Sequence, residues 1–369
     1  MIYLDYQATA PLAPEAREAM LPWLDKFGNP HSPHRIGREA AAAVEIATAQ
    51  VATLLGDVRG QGRTIFTSGA TEAANWALWG AVRGERRKIV TVATEHACVL
   101  DTAEWLGKDG VEIIVLPVQA NGLIDLDAAA SAIDDRTAVV AAMLVNNEIG
   151  VIQPIAELAA IAHDAGALFF CDAVQGAGRV DLPLQSCDLV AVTAHKIHGP
   201  KGIGALWVRA GLDWPALIHG GGQQQGLRSG TLSPMLCAGF GAAAALAGRM
   251  RGEDTRHINA LSYLADELFN EWALNGDRVA RYPGNRNLRR DGVDAGRLIS
   301  EVRDVAFSAG SACASGSGRP SHVLRALGLS DAQARGSIRL GFGRYTTQEE
   351  LRAAATLINE AAARQLEWA

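Results

Sequence analysis

Between residues 64 and 208, short apolar runs alternate with segments of helical spacing. A strand, a helix and a second strand in succession place the two strands parallel, so this alternation is typical of a parallel sheet covered by helices. The strands are predicted at Thr64–Thr67, Lys88–Val92, Val111–Leu116, Ala138–Val145, Leu168–Asp172, Leu189–Thr193 and Ala205–Val208. Helices are predicted between them, among them Thr71–Val82 and Pro154–Ala165. The sequence therefore predicts an α/β fold.

The pattern changes in the last third of the chain. Helices are predicted there at Pro234–Met250, Thr255–Trp272 and Thr347–Trp368, with a few short strands between the last two. A length of 369 residues suits two domains of ordinary size. We therefore predict a large domain over 16–250 and a smaller one from 1–15 and 251–369, with a ligand crevice between them.

Charge and targeting signals exclude several classes of protein. The chain has 34 Lys and Arg against 40 Asp and Glu, a net charge of −6, which argues against a dedicated binder of nucleic acid or of an acidic membrane. The uncharged stretch 229–248 contains glycine, serine, threonine and proline, so we interpret it as a loop and a helix rather than a membrane span. The N-terminus lacks the features of a secretory signal, and a cytoplasmic location is expected.

Two lysines follow a predicted strand, at the edge where α/β sheets bind ligands. Lys196 and Lys201 share the segment 195–202, directly after the apolar run Leu189–Thr193. A desolvated lysine at the end of a strand has a lowered pKa and can form a Schiff base. A solvated lysine in a turn is the alternative.

Two further segments indicate an anionic cofactor with a basic ring nitrogen. Asp172 ends the run Leu168–Asp172, where a buried acid needs a partner such as the protonated pyridine nitrogen of pyridoxal phosphate (PLP). A helix cap is the alternative. The turn 67–72 has several backbone N–H groups and hydroxyls at the start of a predicted helix. It is either an anion cradle or a simple capping turn. The glycine motifs of dinucleotide-binding and P-loop folds are absent.

Several motifs together resemble one family. They are YLDYQATAPL (3–12), SGATEAAN (68–75), TEHA (94–97), NNEIG (146–150), DAVQ (172–175), HKIHGPKG (195–202), GGGQQQGLRSGT (220–231), SAGSACAS (308–315) and RLGFGRYTT (339–347). In this order they resemble the NifS/IscS-type cysteine desulfurases, which are PLP-dependent enzymes of fold type I. The resemblance implies a large PLP-binding domain with a mainly parallel sheet and a smaller α+β domain.

The resemblance implies roles for the cofactor site. Lys196 would be the Schiff-base lysine, Asp172 the partner of the ring nitrogen and Gln175 the partner of the ring hydroxyl. His96 would stack on the ring and transfer protons. The other implied cofactor contacts are Ala70, Thr71, Asn147, Thr193, His195 and, from the second subunit of a homodimer, Thr231.

The resemblance also implies how the substrate is handled. Asn147 and Arg344 would bind the carboxylate of L-cysteine, with Arg339 as the competitor for the arginine role. Cys313, on a mobile loop at about 308–320, would take the sulfur as a persulfide, leaving alanine. An iron–sulfur scaffold or another acceptor protein would then receive the sulfur.

The five cysteines differ in the type of residues that surround them in the sequence. No metal-binding spacing joins them, so neither a zinc site nor a disulfide framework is predicted. Cys98, Cys171 and Cys237 lie in apolar contexts typical of buried thiols, and Cys187 is ambiguous. Cys313 lies among glycine and serine residues, which are typical of an exposed segment.

Two other functions stay open. A selenocysteine lyase or an aminotransferase of the same fold would need Lys196 but not Cys313. A noncatalytic assembly protein would need neither, and the joint presence of Lys196, Asp172, His96 and Cys313 argues against it.

Overall fold

The computed structural model describes residues 1–310 and 321–367. Its strands in chain order are β1 Ile2–Tyr3, β2 Gly62–Thr67, β3 Lys88–Val92, β4 Glu112–Leu116, β5 Thr137–Met143, β6 Leu168–Asp172, β7 Leu189–Thr193, β8 Gly204–Arg209, β9 Ala273–Leu274, β10 Asn285–Arg289, β11 Val305–Ala306, β12 Ser308–Ala309 and β13 Ser337–Gly341. Its α-helices are α1 Pro14–Met20, α2 Arg35–Leu55, α3 Ala70–Ala81, α4 Ala97–Lys108, α5 Leu126–Ala132, α6 Ile155–Asp164, α7 Pro234–Leu268, α8 Ala295–Glu301, α9 His322–Ala326, α10 Asp331–Arg335 and α11 Gln348–Glu367.

The large sheet has the strand order β2-β8-β7-β6-β5-β3-β4 in the described residues. All neighbours are parallel except β8, which is antiparallel to both β2 and β7. Since β2 and β7 both oppose β8, they run in the same direction, and the carboxyl ends of β2, β3, β5, β6 and β7 share one edge. The seven predicted strands are confirmed, although β5 stops at Met143 rather than at residue 145.

Both faces of this sheet are buried, which explains why its strands are apolar throughout rather than alternating. Successive side chains of a strand point to opposite faces. In β6, Phe169 and Cys171 pack in one core cluster and Phe170 packs in the other. Helix α3 covers the second cluster with the fully buried Trp76, and α7 covers the first with Phe240. The helix layers on both faces confirm the α/β prediction.

Helix α7 is one continuous helix where two helices were predicted. It begins with Ser233, whose Oγ accepts from the Leu236 N–H, and has Pro234 at its first position. The prediction of separate helices at 234–250 and 255–272 was wrong because the single Gly252 between them costs only about 1 kcal/mol. The predicted domain limit at residue 250 falls inside this helix and stays a prediction.

A smaller antiparallel sheet, β12-β13-β10-β9, forms the rest of the core together with the C-terminal helices. The N-terminal strand β1 pairs with β11, and the chain after it crosses the end of β13. Gly341 makes this crossing possible, because a Cβ at that position would collide with Oε1 of Gln7. Residues 7–9 are thereby brought to the carboxyl edge of the large sheet. Over residues 1–310 and 321–367, none of the helices combines the length and apolar character that crossing a bilayer requires.

Candidate active site

A cavity of about 550 Å³ lies at the carboxyl edge of the large sheet. Its walls come from the segments that follow β2, β3, β5, β6 and β7 and from residues 7–9. The structure brings together nine predicted site residues in this cavity: Ala70, Thr71, His96, Asn147, Asp172, Gln175, Thr193, His195 and Lys196. Segments that are distant in sequence thus meet at the edge where α/β sheets bind ligands.

Lys196 lies at the end of a short helical turn directly after β7. Its Nζ donates to the backbone oxygens of Gln7 and Ala8, each at 2.6 Å. The side chain is half-buried and lines the cavity. Gln7, Ala8 and Thr9 had no predicted role, although they stand in the N-terminal motif that carried part of the resemblance. The structure shows that this motif holds the lysine amine.

Asp172 ends β6 and is only 5% exposed. Its Oδ1 accepts from the Val174 N–H at 2.9 Å. Burial raises the pKa of this carboxyl, while that hydrogen bond and the charges of His96 and Lys196 oppose the rise. A buried acid at the cavity wall is stabilised by a cationic N–H placed opposite it.

His96 caps the N-terminus of α4. Its Nδ1 accepts from the Cys98 N–H at 3.1 Å, so the neutral ring carries its proton on Nε2. Cys98 also lines the cavity and is half-buried, rather than fully buried as its apolar context predicted. Burial raises the pKa of the Cys98 thiol, which makes it a poor nucleophile at neutral pH.

The turn before α3 forms an open cradle. A Cβ added at Gly69 would meet no atom within 4 Å, so the backbone of this turn faces free space beside the N-terminus of a 12-residue helix. Such a helix end favours an anion. The exposed Lys201 also lines the cavity and supplies positive charge.

Two further residues of the predicted phosphate site are fixed by neighbours. Thr193 Oγ donates to the Ile203 oxygen at 3.1 Å, and His195 Nδ1 lies 3.2 Å from Thr9 Oγ. Burial, helped by the charge of Lys196, lowers the pKa of His195 to about 4. His195 is therefore neutral at pH 7 and acts as a hydrogen-bonding group rather than as a cation.

Gln175 is held at both ends of its amide. Its Nε2 donates to the Gln7 oxygen at 2.9 Å, and its Oε1 accepts from Arg179 Nη1 at 2.8 Å. Since an amide nitrogen has two N–H donors, one is used here and the second can serve a ligand oxygen. The position suits the predicted contact to a ring hydroxyl.

The two candidate arginines line different cavities. Arg344 does not line this cavity; it lies in a neighbouring one, where its Nε and Nη2 bind the carboxylate of Asp254 at 3.0 and 2.6 Å. Arg339, the competitor in the sequence prediction, lines the cavity instead and is 1% exposed. It binds the Asn147 oxygen at 3.1 Å and Asp5 at 2.7 Å. Asp254 on α7 thus holds Arg344 outside this cavity, and the predicted substrate role of Arg344 stays a prediction.

Two further predicted residues stand apart from those above, one by its position and one because the structure does not describe it. Thr231 is exposed and does not line the cavity. Cys313 lies outside the described residues. Among the cysteines that are described, Cys171, Cys187 and Cys237 are buried, as predicted for Cys171 and Cys237.

The cavity residues fit PLP. A lysine amine, a buried carboxyl and an open helix N-terminus are the three groups that the aldehyde, the ring nitrogen and the phosphate require, and all three face one space.

Comparisons with known proteins agree with this site. The model of the aminotransferase class-V family matches residues 2–353. Cysteine desulfurase IscS of Rickettsia felis is 46% identical over 374 residues, which cover 97% of this chain and 90% of that protein. A solved NifS-like protein has a TM-score of 0.90 at 31% identity and covers 98% of this chain and 99% of its own. SspA in complex with cysteine has a TM-score of 0.84 at 32% identity and covers 94% of this chain and 100% of its own.

These matches extend over nearly the whole chain and confirm the resemblance that its motifs indicated. The chain belongs to the aminotransferase class-V family of PLP-dependent enzymes and, within it, to the IscS-type cysteine desulfurases.

Proposed function

We propose that the protein removes sulfur from L-cysteine with PLP, giving L-alanine and a persulfide on Cys313. The observation that carries this proposal is the meeting of Lys196, Asp172 and His96 in one cavity with an arginine suited to a carboxylate. The relative SspA, solved in complex with cysteine, supports the choice of substrate.

Three of the cavity residues would act directly on the cofactor or the substrate. Bound PLP supplies an aldehyde for the substrate amine and a ring that withdraws electrons from its Cα. Lys196 Nζ would hold the cofactor and, with substrate bound, would take the Cα proton. The Asp172 carboxylate would face the ring nitrogen and keep it protonated. His96, with its proton on Nε2, is placed to carry protons between substrate and solvent.

Arg339 and Asn147 orient the substrate. The Arg339 guanidinium is fixed by Asp5 and by the Asn147 oxygen, so it presents its charge without reorganisation. The side chain of Asn147 lines the same cavity.

The sulfur acceptor is Cys313. The bond between the substrate Cβ and sulfur breaks, the sulfur bonds to the Cys313 thiolate, and the Cβ takes the electron pair and a proton, so no external oxidant or reductant is needed. Burial raises the pKa of the thiols of Cys98, Cys171 and Cys237, which supports the choice of another cysteine.

Assembly and destination form part of the same proposal. The exposed Thr231 would complete the phosphate site of a second subunit in a homodimer. The persulfide sulfur would pass to an iron–sulfur scaffold or another acceptor protein. The cytoplasmic location expected from the N-terminal sequence is also proposed.

Sulfide and alanine release from L-cysteine in the presence of a thiol reductant tests this function. We expect equal amounts of the two products from the wild type. Lys196→Ala should form neither product and lose the yellow colour of bound PLP, while Lys108→Ala, an exposed lysine paired with Glu104, should match the wild type. A selenocysteine lyase or an aminotransferase would give a different pair of results. The wild type would then release no sulfide from L-cysteine, and Cys313→Ser would still release selenide from selenocysteine or transaminate.

A further inference from the structure

Arg179 contacts two residues of the candidate active site from behind. It lines the neighbouring cavity, where Arg344 lies, rather than the cofactor cavity. Its Nη1 donates to Gln175 Oε1 at 2.8 Å and lies 3.4 Å from the backbone oxygen of the same residue, four positions earlier. Its Nη2 donates to the Lys196 backbone oxygen at 2.5 Å. One guanidinium therefore joins the residue predicted to meet the ring hydroxyl with the residue predicted to hold the aldehyde.

The local chain explains how Arg179 reaches this place. A run of turns follows β6 and returns residue 179 to residue 175. Gly178 in this run has φ +72°, a left-handed conformation that glycine adopts without strain. The guanidinium also lies over the ring of Tyr282, 5.3 Å from its centre, which is a favourable contact for a cation. The position of Arg179 thus does not depend on Gln175 alone.

Two partners of opposite kind fix the orientation of the Gln175 amide. A guanidinium has only N–H donors, so it faces the amide oxygen. The Gln7 backbone oxygen is only an acceptor, and it faces Nε2 at 2.9 Å. A reversed amide would place N–H groups against N–H groups on one side and oxygen against oxygen on the other. Since Gln175 is 4% exposed, water could not compensate for that loss. The amide therefore meets a ligand as an N–H donor.

The charge of Arg179 also strengthens that donor. A cation bound to the oxygen of an amide draws electron density from its nitrogen, and hydrogen bonds arranged in a chain polarise one another. The effect is larger in a buried place, because little water screens the charge. Arg179 thus acts on the far end of the same amide that lines the cofactor cavity.

We propose that Arg179 is a positioning residue for the cofactor: it orients and polarises the Gln175 amide so that an N–H of this amide donates to the ring hydroxyl oxygen of PLP. This inference rests on the proposed function, in which PLP is bound to Lys196. A donor on that oxygen stabilises its negative charge. Arg179 should therefore lower the pH at which the bound cofactor loses the proton that this oxygen shares with the Lys196 nitrogen.

A pH titration of the PLP-loaded enzyme without substrate tests this role apart from turnover. Loss of the shared proton changes the absorbance of the cofactor, so the titration gives a midpoint. Arg179→Met removes the charge and the N–H donors and keeps a side chain of similar length. Its midpoint should rise by about one pH unit, the size expected when a hydrogen bond to a buried group is weakened. Borohydride reduction, which fixes PLP on Lys196, measures the loading of each protein.

The other groups that influence this titration are the same in these proteins. Tyr282 packs on Arg179 and is unchanged. The remaining titratable or charged side chains that line the cofactor cavity are also unchanged: His96, Cys98, Asp172, His195, Lys201 and Arg339.

Three single variants separate the possible causes of a shift. Arg179→Lys keeps the charge and a donor for Gln175, so its midpoint should lie nearer to that of the wild type than to that of Arg179→Met. Arg251→Met removes another positive charge from the neighbouring cavity, one that is paired with Asp181, and should keep the wild-type midpoint. Arg179→Gln keeps N–H donors for the fold but not the charge. Its midpoint should also rise, by less, and it carries the test if Arg179→Met does not fold.

A double variant tests whether Arg179 acts through Gln175. In a Gln175→Ala background the amide is absent, so adding Arg179→Met should change the midpoint little. A purely structural role of Arg179 would give the same shift in both backgrounds.

The outcomes are distinguishable. A wild-type midpoint in Arg179→Met, an equal rise in Arg251→Met, or a full rise in the Gln175→Ala background would overturn the positioning role and leave the desulfurase function intact. A wild type in which borohydride fixes no PLP on Lys196 would overturn the proposed function and this inference together.

Discussion

The buried carboxyl of Glu148 makes the stability of the fold depend on pH. Burial raises the pKa of Glu148 from 4.5 to about 7, although the hydrogen bond from Ser321 and the charge of Arg339 oppose the rise. A carboxyl with a raised pKa binds its proton more tightly in the folded state. Its contribution is therefore fully present below about pH 4.5 and is lost as the pH rises through about 7.

Glu148→Gln removes this titration and keeps the size of the side chain. At about 1.4 kcal/mol per pKa unit, a rise from 4.5 to about 7 corresponds to about 3 kcal/mol in all, of which about 2 kcal/mol falls between pH 5 and pH 8. We expect the free energy of unfolding of the wild type to fall by that amount relative to the variant over this interval.

Urea unfolding followed by tryptophan fluorescence, at a fixed concentration of PLP, measures the difference. Glu18→Gln replaces an exposed glutamate in α1 and is the matched control. Its free energy of unfolding should change with pH as that of the wild type does. The other buried groups with shifted pKa values, among them Glu95 and His195, are the same in all three proteins. Their contributions to the pH dependence therefore cancel in the comparison. If the unfolding free energies of the wild type and of Glu148→Gln differ by a constant amount from pH 5 to pH 8, Glu148 does not have the raised pKa described above.

Two further substitutions test the site. Arg339→Lys should lower kcat/KM for L-cysteine by roughly 10- to 100-fold, mainly through KM, because the forked contact to a carboxylate is lost; Arg344→Lys should stay within a few-fold, and equal losses in both would contradict the assignment of Arg339. Gly341→Ala should destabilise the protein by about 1–3 kcal/mol and weaken PLP retention, because its Cβ would clash with the Gln7 side chain and the Tyr6 nitrogen and so shift the Gln7 backbone oxygen that binds Lys196. The exposed, helical Gly252→Ala is its control and should be neutral or stabilising, so a melting curve of Gly341→Ala that matches it would count against this reading.

The large sheet could be predicted because burial on both faces leaves an unambiguous signal. Strands such as Leu189–Thr193 are apolar throughout, and polar residues that follow them, such as His195 and Lys196, mark the edge where ligands bind. Lys196, Asp172 and the turn at 67–72 therefore followed from local sequence together with one topological rule, whereas the roles of the other cavity residues came from the resemblance to a family.

The arginine that lines the cavity could not be identified from local sequence in the same way. Arg339 and Arg344 stand in one short motif, and the sequence does not show which of them an acidic residue elsewhere will bind. The decisive residue is Asp254, which lies 90 positions before Arg344 on a helix that the sequence had divided in two. The pairing of Glu148 with Ser321 escaped notice for the same reason, since no local pattern joins residues that far apart.

In the proposed function, sulfur leaves L-cysteine in this cavity and arrives on Cys313. Mass spectrometry can detect this transfer in the PLP-loaded protein after treatment with L-cysteine without reductant and digestion under conditions that preserve persulfides. We expect the peptide containing Cys313 to gain the mass of one sulfur atom in the wild type and not in Lys196→Ala. Extra sulfur on Cys98 instead, or on no cysteine at all, would contradict it.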